Sequence, residues 1–270
     1  MRKPRGTLTI LAEYHRKVPA ALRANGVEEY EIPEITFVSS EVRNSGASVL
    51  ALNMDKQSGG ATLDDFAVAL KEQQTAKGNF PGPLPLVWAD VVVDEVQLAQ
   101  AYVAGAHGVT LTLDALGAER CKKLRDDAEQ LYGLESVVVV APALDGDLEG
   151  MIKTALEEIN ATMLMVAGVD ADLAIAAKAW IPKTVTAIAR INARGGKGLD
   201  EAEDAWRLRD AGYDAVWVSD VLYKFGGAPD SITSVIKAMK SKASVKYARA
   251  SGAFSGRGEG SKEYLGDILM

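Results

Sequence analysis

The sequence predicts a single (β/α)8 barrel (a TIM barrel), and three features of the chain support this prediction. One is a repeat that occurs four times along the chain. Each copy begins at a turn-forming residue, has apolar residues four and six positions later, and ends its strand at a polar residue. Further apolar strands alternate with amphipathic stretches, a pattern typical of a parallel sheet covered by helices. The length of 270 residues also suits one barrel, because such barrels commonly reach about 250 residues.

The repeat predicts every second strand of the barrel. Its four copies begin at Gly46, Gly105, Asn160 and Gly212, which lie 59, 55 and 52 positions apart. That spacing is twice the roughly 30 residues of one strand-and-helix unit. The copies are so alike that closure into a barrel is favoured, and an open doubly wound sheet is the structural alternative. The apolar pairs predicted in these four strands are Leu50 and Leu52, Val109 and Leu111, Leu164 and Val166, and Val216 and Val218.

Four interleaved strands and several helices complete the pattern. Acidic residues suit the unpaired amides at helix starts, and glycine suits the left-handed backbone that often ends a helix. The strands are predicted at residues 7–13, 84–90, 136–141 and 184–189, and the helices at 62–75, 95–104, 118–132 and 201–211. The residues placed at helix starts are Asp64, Asp94 and Asp200, and those at helix ends are Gly105, Gly133 and Gly212.

Residues 241–270 differ in character from the barrel, which is predicted to span residues 1–240. This tail is rich in glycine and serine, as flexible linkers are. Seven lysines or arginines and three acidic residues fall within 236–270, so this end is basic while the rest is acidic. A terminal apolar segment is interpreted either as an end that packs on the barrel or as a docking segment for an unknown protein partner. The residues predicted to contact that partner are Tyr264, Leu265, Ile268 and Leu269.

Composition and charge narrow the classes of function. The net charge of −7 argues against nucleic-acid binding by the body of the protein. We expect no membrane span, because no segment approaches the roughly 18 apolar residues that one needs. Cys121 is the only cysteine, so no internal disulfide is expected. That suits the cytoplasm or an organelle stroma, including a plastid if a transit peptide has been removed. No cofactor and no metal are expected.

Catalytic groups of such barrels lie at the C-terminal ends of the strands. Glu13 and His15 alternate to one face after the first strand, where a carboxylate beside an imidazole suits general acid–base chemistry. The alternative is a hydrogen-bonded polar pair that plugs the mouth of the barrel. Asp90 ends the third strand and is predicted either to orient a base or to cap the following loop. Glu13, His15 and Asp90 are the candidate catalytic residues, and as metal ligands they form only a weak pattern.

The remaining strand ends divide the predicted mouth into an apolar and a basic half. Residues 137–142 and 163–168 carry no ionisable group, whereas the loops after the seventh and eighth strands are basic and rich in glycine. Such loops bind phosphate through backbone amides and cationic side chains. The pattern predicts a phosphorylated small molecule as ligand, and an ordinary solvated loop is the alternative. The candidate anion-binding residues are Arg190, Arg194, Gly195, Gly196, Lys197, Ser219, Lys224, Gly226 and Gly227.

Several segments resemble indole-3-glycerol phosphate synthases. Residues 11–19, Leu-Ala-Glu-Tyr-His-Arg-Lys-Val-Pro, are similar to that family's Ala-Glu-hydrophobic-Lys-Arg-x-Ser-Pro motif. Residues 45–55, 85–94 and 210–219 resemble its second, third and last strands, so that the resemblance covers residues 6–225. It implies a barrel enzyme of tryptophan biosynthesis, a carbon–carbon lyase that closes an indole ring with loss of carbon dioxide and water.

The resemblance fails where the family carries its chemistry, which uses two lysines, a glutamate and an asparagine around the mouth. The first-strand lysine is replaced by His15 and the third-strand lysine by Ala89, while the first-strand glutamate is kept as Glu13. Further replacements are Val139 for the fifth-strand glutamate, Ala167 for the sixth-strand asparagine, and Ser219 and Asp220 for a glycine and a glutamate of the last strand.

These losses predict a catalytically inactive member of the family that serves as a binding or structural subunit of a larger assembly. Each general acid–base group typically contributes ~10²–10⁴-fold to the rate, so little of the reaction should survive. Two enzymatic alternatives stay open. One is an enzyme with altered lyase chemistry on a phosphorylated or carboxylated ligand, and the other is the family's own reaction.

Overall fold

The computed structural model describes residues 8–19, 23, 32, 34–143, 146–194, 199–226 and 229–241. Eight parallel strands form a closed barrel in chain order, with the last strand paired to the first. The predicted fold class is therefore confirmed. The strands are β1 (Thr9–Tyr14), β2 (Val49–Asn53), β3 (Leu86–Ala89), β4 (Gly108–Thr112), β5 (Glu135–Val140), β6 (Met163–Val166), β7 (Thr186–Ile191) and β8 (Ala215–Val218).

A helix follows each strand and covers the outside of the barrel. Parallel strands need such crossover connections, because the chain must return to the other end of the sheet. The helices are α1 (Ile35–Asn44), α2 (Leu63–Thr75), α3 (Glu95–Val103), α4 (Leu113–Gln130), α5 (Leu148–Glu157), α6 (Ala171–Ala177), α7 (Glu201–Ala211) and α8 (Pro229–Lys240), with short 3-10 helices at Lys178–Trp180 and Asp220–Tyr223.

Local sequence explains where several of these helices begin and end. The Thr62 hydroxyl accepts the Asp65 N–H at 3.2 Å and the Asp65 carboxylate accepts the Thr62 N–H at 2.8 Å, a reciprocal cap at the start of α2. Asp94 caps α3 in the same manner. Gly212 ends α7 with a φ of +105°, which glycine adopts without strain. Of the other acids predicted at helix starts, Asp64 lies in the first turn of α2, and Asp200 precedes α7 without a side-chain cap.

The apolar pairs of the repeat face the helices, and the residue between each pair faces the inside of the barrel. Leu50 and Leu52, with their counterparts in the other copies, belong to the large apolar cluster that joins sheet and helices. A separate cluster fills the inside of the barrel. Successive side chains of a strand alternate between faces, so both clusters follow from one backbone pattern. The inward residues of the four copies are Ala51, Thr110, Met165 and Trp217.

Strand β7 is longer than predicted, which places Arg190 inside a strand and not in the loop after it. The predicted end at residue 189 is wrong, because pairing with β8 continues as far as Ile191 beside Val218. Arg190 pairs with Trp217 on the inward face. No helix in the described part of the chain is long and apolar enough to cross a membrane. The predicted partner contacts Tyr264, Leu265, Ile268 and Leu269 lie outside the described residues.

Candidate functional site

The carboxylate of Glu13 is the centre of the C-terminal mouth of the barrel. It lies on β1 with only 1% of its surface exposed. Asn53, on the neighbouring β2, donates a hydrogen bond from Nδ2 to Glu13 Oε1 at 2.6 Å. Trp217, on the other neighbour β8, donates from its indole nitrogen to Glu13 Oε2. Both carboxylate oxygens therefore accept a bond from an adjacent strand.

An imidazole and a guanidinium also face this carboxylate. His15 Nε2 lies 3.1 Å from Glu13 Oε1, and an Arg190 guanidinium nitrogen lies 3.5 Å from Oε2. Burial alone raises the pKa of Glu13, but the charges of Arg190 and His15 and the hydrogen bonds from His15 and Trp217 outweigh it. The pKa of Glu13 is therefore well below its ordinary value of 4.5, and the carboxylate stays ionised.

His15 is held from both its side chain and its backbone. Its Nε2 lies 2.7 Å from Ser219 Oγ, and its backbone N–H donates to the Tyr223 hydroxyl at 2.9 Å. That hydroxyl donates in turn to the Glu13 carbonyl at 3.1 Å. The other ring nitrogen, Nδ1, is buried and has no hydrogen-bond partner among the described residues. Glu13 and Ser219 thus share one imidazole nitrogen, whereas a serine–histidine–acid relay uses both.

The cavity that the described residues leave directly beside Glu13 is small. A cavity of about 150 Å³ remains beside Glu13, whereas pockets for small molecules usually measure about 300–1,000 Å³. Met165 and Trp217 point into the barrel and line the cavity, together with Ala89 and Val139. Among the described residues that line it there is no lysine, and the cationic side chain is Arg190.

Asp90 lines the same cavity, and its carboxylate caps the loop after β3. Oδ1 accepts the Val91 N–H at 2.8 Å, and Oδ2 accepts from Gln97 Nε2 at 3.2 Å and from Trp88 Nε1 at 3.3 Å. The structure thus brings Asp90 to the same cavity as Glu13, and no contact between Asp90 and His15 is present in the described network. The capping alternative describes the observed contacts of Asp90.

Two of the predicted anion-binding side chains are already paired with acids. Lys224 Nζ lies 2.8 Å from Glu201 Oε1, and both side chains are almost fully buried. Arg194 pairs with Asp204 through its guanidinium, and its backbone N–H donates to Glu201 at 2.6 Å. These cations neutralise α7 carboxylates. Gly226 is described and has a φ of +94°, whereas Gly195, Gly196, Lys197 and Gly227 lie outside the described residues.

Arg190 and Ser219 do come together at the mouth. An Arg190 guanidinium nitrogen donates to Ser219 Oγ at 3.0 Å. Arg190 also borders a second cavity of about 230 Å³, which lies between the loops after β6 and β7. Its side chain is 31% exposed and therefore reaches both the polar network and open space.

Asp220, next to Ser219, is a further buried acid at this end of the barrel. Its Oδ2 accepts the Ala193 N–H at 3.1 Å, which ties β8 to the loop after β7. Burial raises the pKa of Asp220, although backbone hydrogen bonds and the charge of Arg190 act in the opposite direction. No group of three potential metal-ligating side chains is found within the described ranges.

Sequence reasoning missed the partners that complete the network. Asn53, Trp217, Tyr223 and Glu201 were not predicted as site residues, although each bonds one that was. Trp217 carried a usable signal, since it stands between the outward pair Val216 and Val218 and must face inward. Tyr223 carried no such signal, because the 3-10 helix that turns its hydroxyl toward β1 has no periodic pattern in sequence.

The chain is similar to known indole-3-glycerol phosphate synthases. The enzyme of Opitutus terrae is 28% identical over 236 residues, which cover 85% of this chain and 79% of that protein. That of Bacteroides thetaiotaomicron is 25% identical over 231 residues, covering 86% and 80%. That of Desulfotalea psychrophila is 25% identical over 258 residues, covering 84% and 96%. A comparison with models of protein families finds no match. The similarity confirms the resemblance to that family, at a divergent level.

Solved structures with the same fold are more distant in sequence. Orotidine 5'-phosphate decarboxylase from Pyrococcus horikoshii superposes with a TM-score of 0.53 at 15% identity, covering 86% of this chain and 99% of its own. Thiamine phosphate pyrophosphorylase from Pyrococcus furiosus has a TM-score of 0.53 at 14% identity, covering 87% and 95%. At these identities the likeness shows the barrel fold alone.

Proposed function

We propose that this divergent relative of the indole-3-glycerol phosphate synthases does not carry out their reaction and serves as a binding or structural subunit. The observation that carries the proposal is the state of Glu13. Its carboxylate accepts bonds from Asn53 and Trp217, lies 3.1 Å from His15 Nε2, and is paired with the Arg190 guanidinium. A carboxylate bonded in this way is a poor proton acceptor, because its contacts favour the ionised form.

Of the proton-transfer groups that the resemblance requires, the first-strand lysine is replaced by His15. Among the described residues that line the cavity there is no lysine, and no glutamate other than Glu13. Arginine holds its proton at every pH that proteins experience, so Arg190 cannot act as the general acid that a lysine provides. Lys224, the lysine expected near the mouth, is held by Glu201. Ala89 and Val139 line the cavity where lysine and glutamate are expected. Loss of two such groups would lower the rate by roughly 10⁴-fold or more, even if their effects are not fully additive.

The available volume supports the same proposal. A phosphorylated sugar linked to an anthranilate ring is a drug-sized molecule, and sites for such ligands measure about 300–1,000 Å³. The cavity at Glu13 measures about 150 Å³. Trp217 and Met165 occupy the inside of the barrel where a larger cavity would have to open.

The direct test is a fluorescence assay for formation of indole-3-glycerol phosphate by the full chain. We expect no signal above a reaction without protein. A Glu13→Gln variant is the matched control, because a trace of contaminating synthase would give the same signal with either protein. Turnover by the wild type that disappears in Glu13→Gln would refute the proposal.

The proposed partner contact is tested separately. A tagged full chain and a chain lacking residues 251–270 are purified side by side from the native source, and co-purified proteins are compared. We expect a partner in stoichiometric amount with the full chain and its loss with the shorter one. If the partner co-purifies equally with both chains, residues 251–270 are not its contact. If no other protein co-purifies with the full chain, the proposed subunit role is contradicted.

A second candidate function is binding of a phosphorylated or carboxylated ligand by the same mouth, with altered chemistry. The observation that favours it is the position of Arg190, which borders a cavity of about 230 Å³ as well as the network around Glu13. Inorganic phosphate should then protect the protein against heating, and Arg190→Ala or Lys197→Ala should remove the protection. Arg120→Ala is the matched control, since Arg120 pairs with Glu95 and neither residue lines that cavity.

A further inference from the structure

We propose that the opposite, N-terminal mouth of the barrel binds a neutral or cationic aromatic molecule that carries a hydrogen-bond donor. A cavity of about 820 Å³ lies there, within the range of about 300–1,000 Å³ that is usual for small-molecule sites. A neighbouring depression of about 480 Å³ shares Gly133, Leu134, Glu135 and Met163 with it. The proposal does not depend on whether the mouth at Glu13 is active.

The wall of this cavity is the first inward layer of the barrel. It includes Thr9, Val49, Val87, Gly108 and Val137 from five consecutive strands. These side chains are small, and Gly108 has none; a Cβ there would lie 2.7 Å from the Glu135 carbonyl oxygen. The layer nearest Glu13 contains Trp217 and Met165 instead. The described residues therefore leave a larger cavity at the N-terminal end of the barrel than beside Glu13.

The hydroxyl of Thr9 supplies the polar contact that points to a ligand. Thr9 faces the inside of the barrel, in register with Ala215 of β8, and is fully buried. Its Oγ1 has no hydrogen-bond partner in the part of the chain that the structure describes. Buried hydroxyls are normally paired, since an unpaired one has lost its water without compensation. A ligand with an N–H or O–H group can pair with this oxygen.

The rim indicates the class of the ligand. The rings of Tyr102 and Tyr132 lie 5.6 Å apart at the edge of the cavity, and aromatic rings favour contact with a flat aromatic ligand. Glu135 and Glu129 border the two depressions, and no lysine or arginine is found among the described residues that line them. Glu129 is paired with Arg125 at 2.9 Å. Glu135, which borders both depressions, is therefore the carboxylate at the rim that disfavours an anion.

The experiment uses two fluorescent probes that share one aromatic skeleton. N-Phenyl-1-naphthylamine is neutral and has one N–H donor, and 8-anilino-1-naphthalenesulfonate is the same molecule with an added sulfonate. Both are titrated into the folded full chain. We expect saturable binding of the neutral probe and about tenfold weaker binding of the anion. Absence of saturable binding of the neutral probe, or stronger binding of the anion, would overturn the proposal.

Three variants test whether the probe binds in the N-terminal cavity. Val137→Phe should reduce affinity at least tenfold by filling the space, and Val96→Phe, at an exposed position on α3, should leave affinity unchanged. Thr9→Val should weaken binding about fivefold through the lost hydrogen bond, while the melting temperature stays equal or rises. The Thr9→Val result keeps the test decisive if Val137→Phe does not fold. Unchanged affinity in Thr9→Val, or binding that needs removal of residues 1–7, would overturn the proposal.

Discussion

The indole nitrogen of Trp217 donates a hydrogen bond to Oε2 of Glu13, and this contact joins residues 204 positions apart inside the barrel. Both side chains are 1% exposed. The tryptophan satisfies one carboxylate oxygen and at the same time fills space at the C-terminal mouth. One side chain thereby supports both arguments for an inactive site, the saturated carboxylate and the small cavity.

Glu13→Gln should destabilise the protein by about 2–4 kcal/mol at pH 7, because it leaves the Arg190 guanidinium facing an uncharged amide in a largely buried network. Urea unfolding measures the loss. Glu203→Gln, at an exposed position on α7, is the matched control and should change stability by less than about 0.5 kcal/mol. A loss no larger than that of the control would contradict the described network.

The stability difference between wild type and Glu13→Gln should depend on pH. The folded-state pKa of Glu13 is lowered below its ordinary value of 4.5. Its stabilising contribution is therefore fully present above that value and is lost as the pH falls from there toward the folded-state pKa. Urea unfolding of both proteins from pH 7 to pH 3 should show the difference shrinking below pH 4.5. A constant difference across this range would contradict the lowered pKa.

Trp217→Leu should cost about 3 kcal/mol in the free energy of unfolding, because it removes both the hydrogen bond to Glu13 and a large buried volume. Trp217→Phe separates the two effects, since it removes the N–H donor while keeping an aromatic ring. We expect Trp217→Phe to lose about half as much in thermal or urea unfolding. Equal losses in both variants would show that the hydrogen bond dominates.

The Lys224–Glu201 pair should behave as a buried ion pair. Lys224→Met leaves the Glu201 carboxylate fully buried without its cation and should cost about 3–5 kcal/mol. Adding Glu201→Gln to that variant should recover at least about 1 kcal/mol, because the neutral amide no longer requires a counter-charge and still accepts the Arg194 N–H. Additive losses in the double variant would indicate that the two charges do not interact.

Cys121 should be unreactive in the folded protein. It is fully buried on α4, and burial raises the pKa of its thiol to about 11. Because the thiolate is the reactive form, labelling with 5,5'-dithiobis(2-nitrobenzoic acid) at pH 8 should be at least about 100-fold slower than for a free thiol. The same chain in guanidinium chloride should react at the rate of a free thiol. Fast labelling of the folded chain would contradict the buried position.

The fold could be predicted because its signal repeats along the chain. Pairs such as Leu50 with Leu52 and Val216 with Val218 all meet helices, so each copy of the repeat needs the same apolar residues. The inward residue between them has no common requirement, and Ala51, Met165 and Trp217 differ widely in size. The sizes of these inward side chains determine how much space is left inside the barrel. The repeat does not specify these sizes, so the sequence pattern does not predict the position of a cavity.

The candidate site was only partly predictable for a related reason. Glu13 and His15 were found because they follow one another on a single strand and alternate to one face. Arg190 is predicted in a loop because it is the first charged residue after an apolar run, although β7 continues past it to Ile191. Lys224 was expected to meet an anionic ligand, and in the structure it meets Glu201. A lysine in a loop is expected to have an anionic partner, but the sequence does not indicate whether that partner is a ligand or an acidic side chain of the same chain.

The sequence by itself determined the eight-stranded barrel, the identity of the side chains at each strand end and the absence of the expected lysines from those positions. Only the tertiary structure decided that Glu13 is paired with Arg190 and bonded by Trp217, and that the described residues enclose a larger cavity at the opposite end. The physical reason is the range of the interactions. Periodicity and helix caps act within a few residues, whereas hydrogen bonds and packing inside a closed barrel join side chains from strands far apart in the chain.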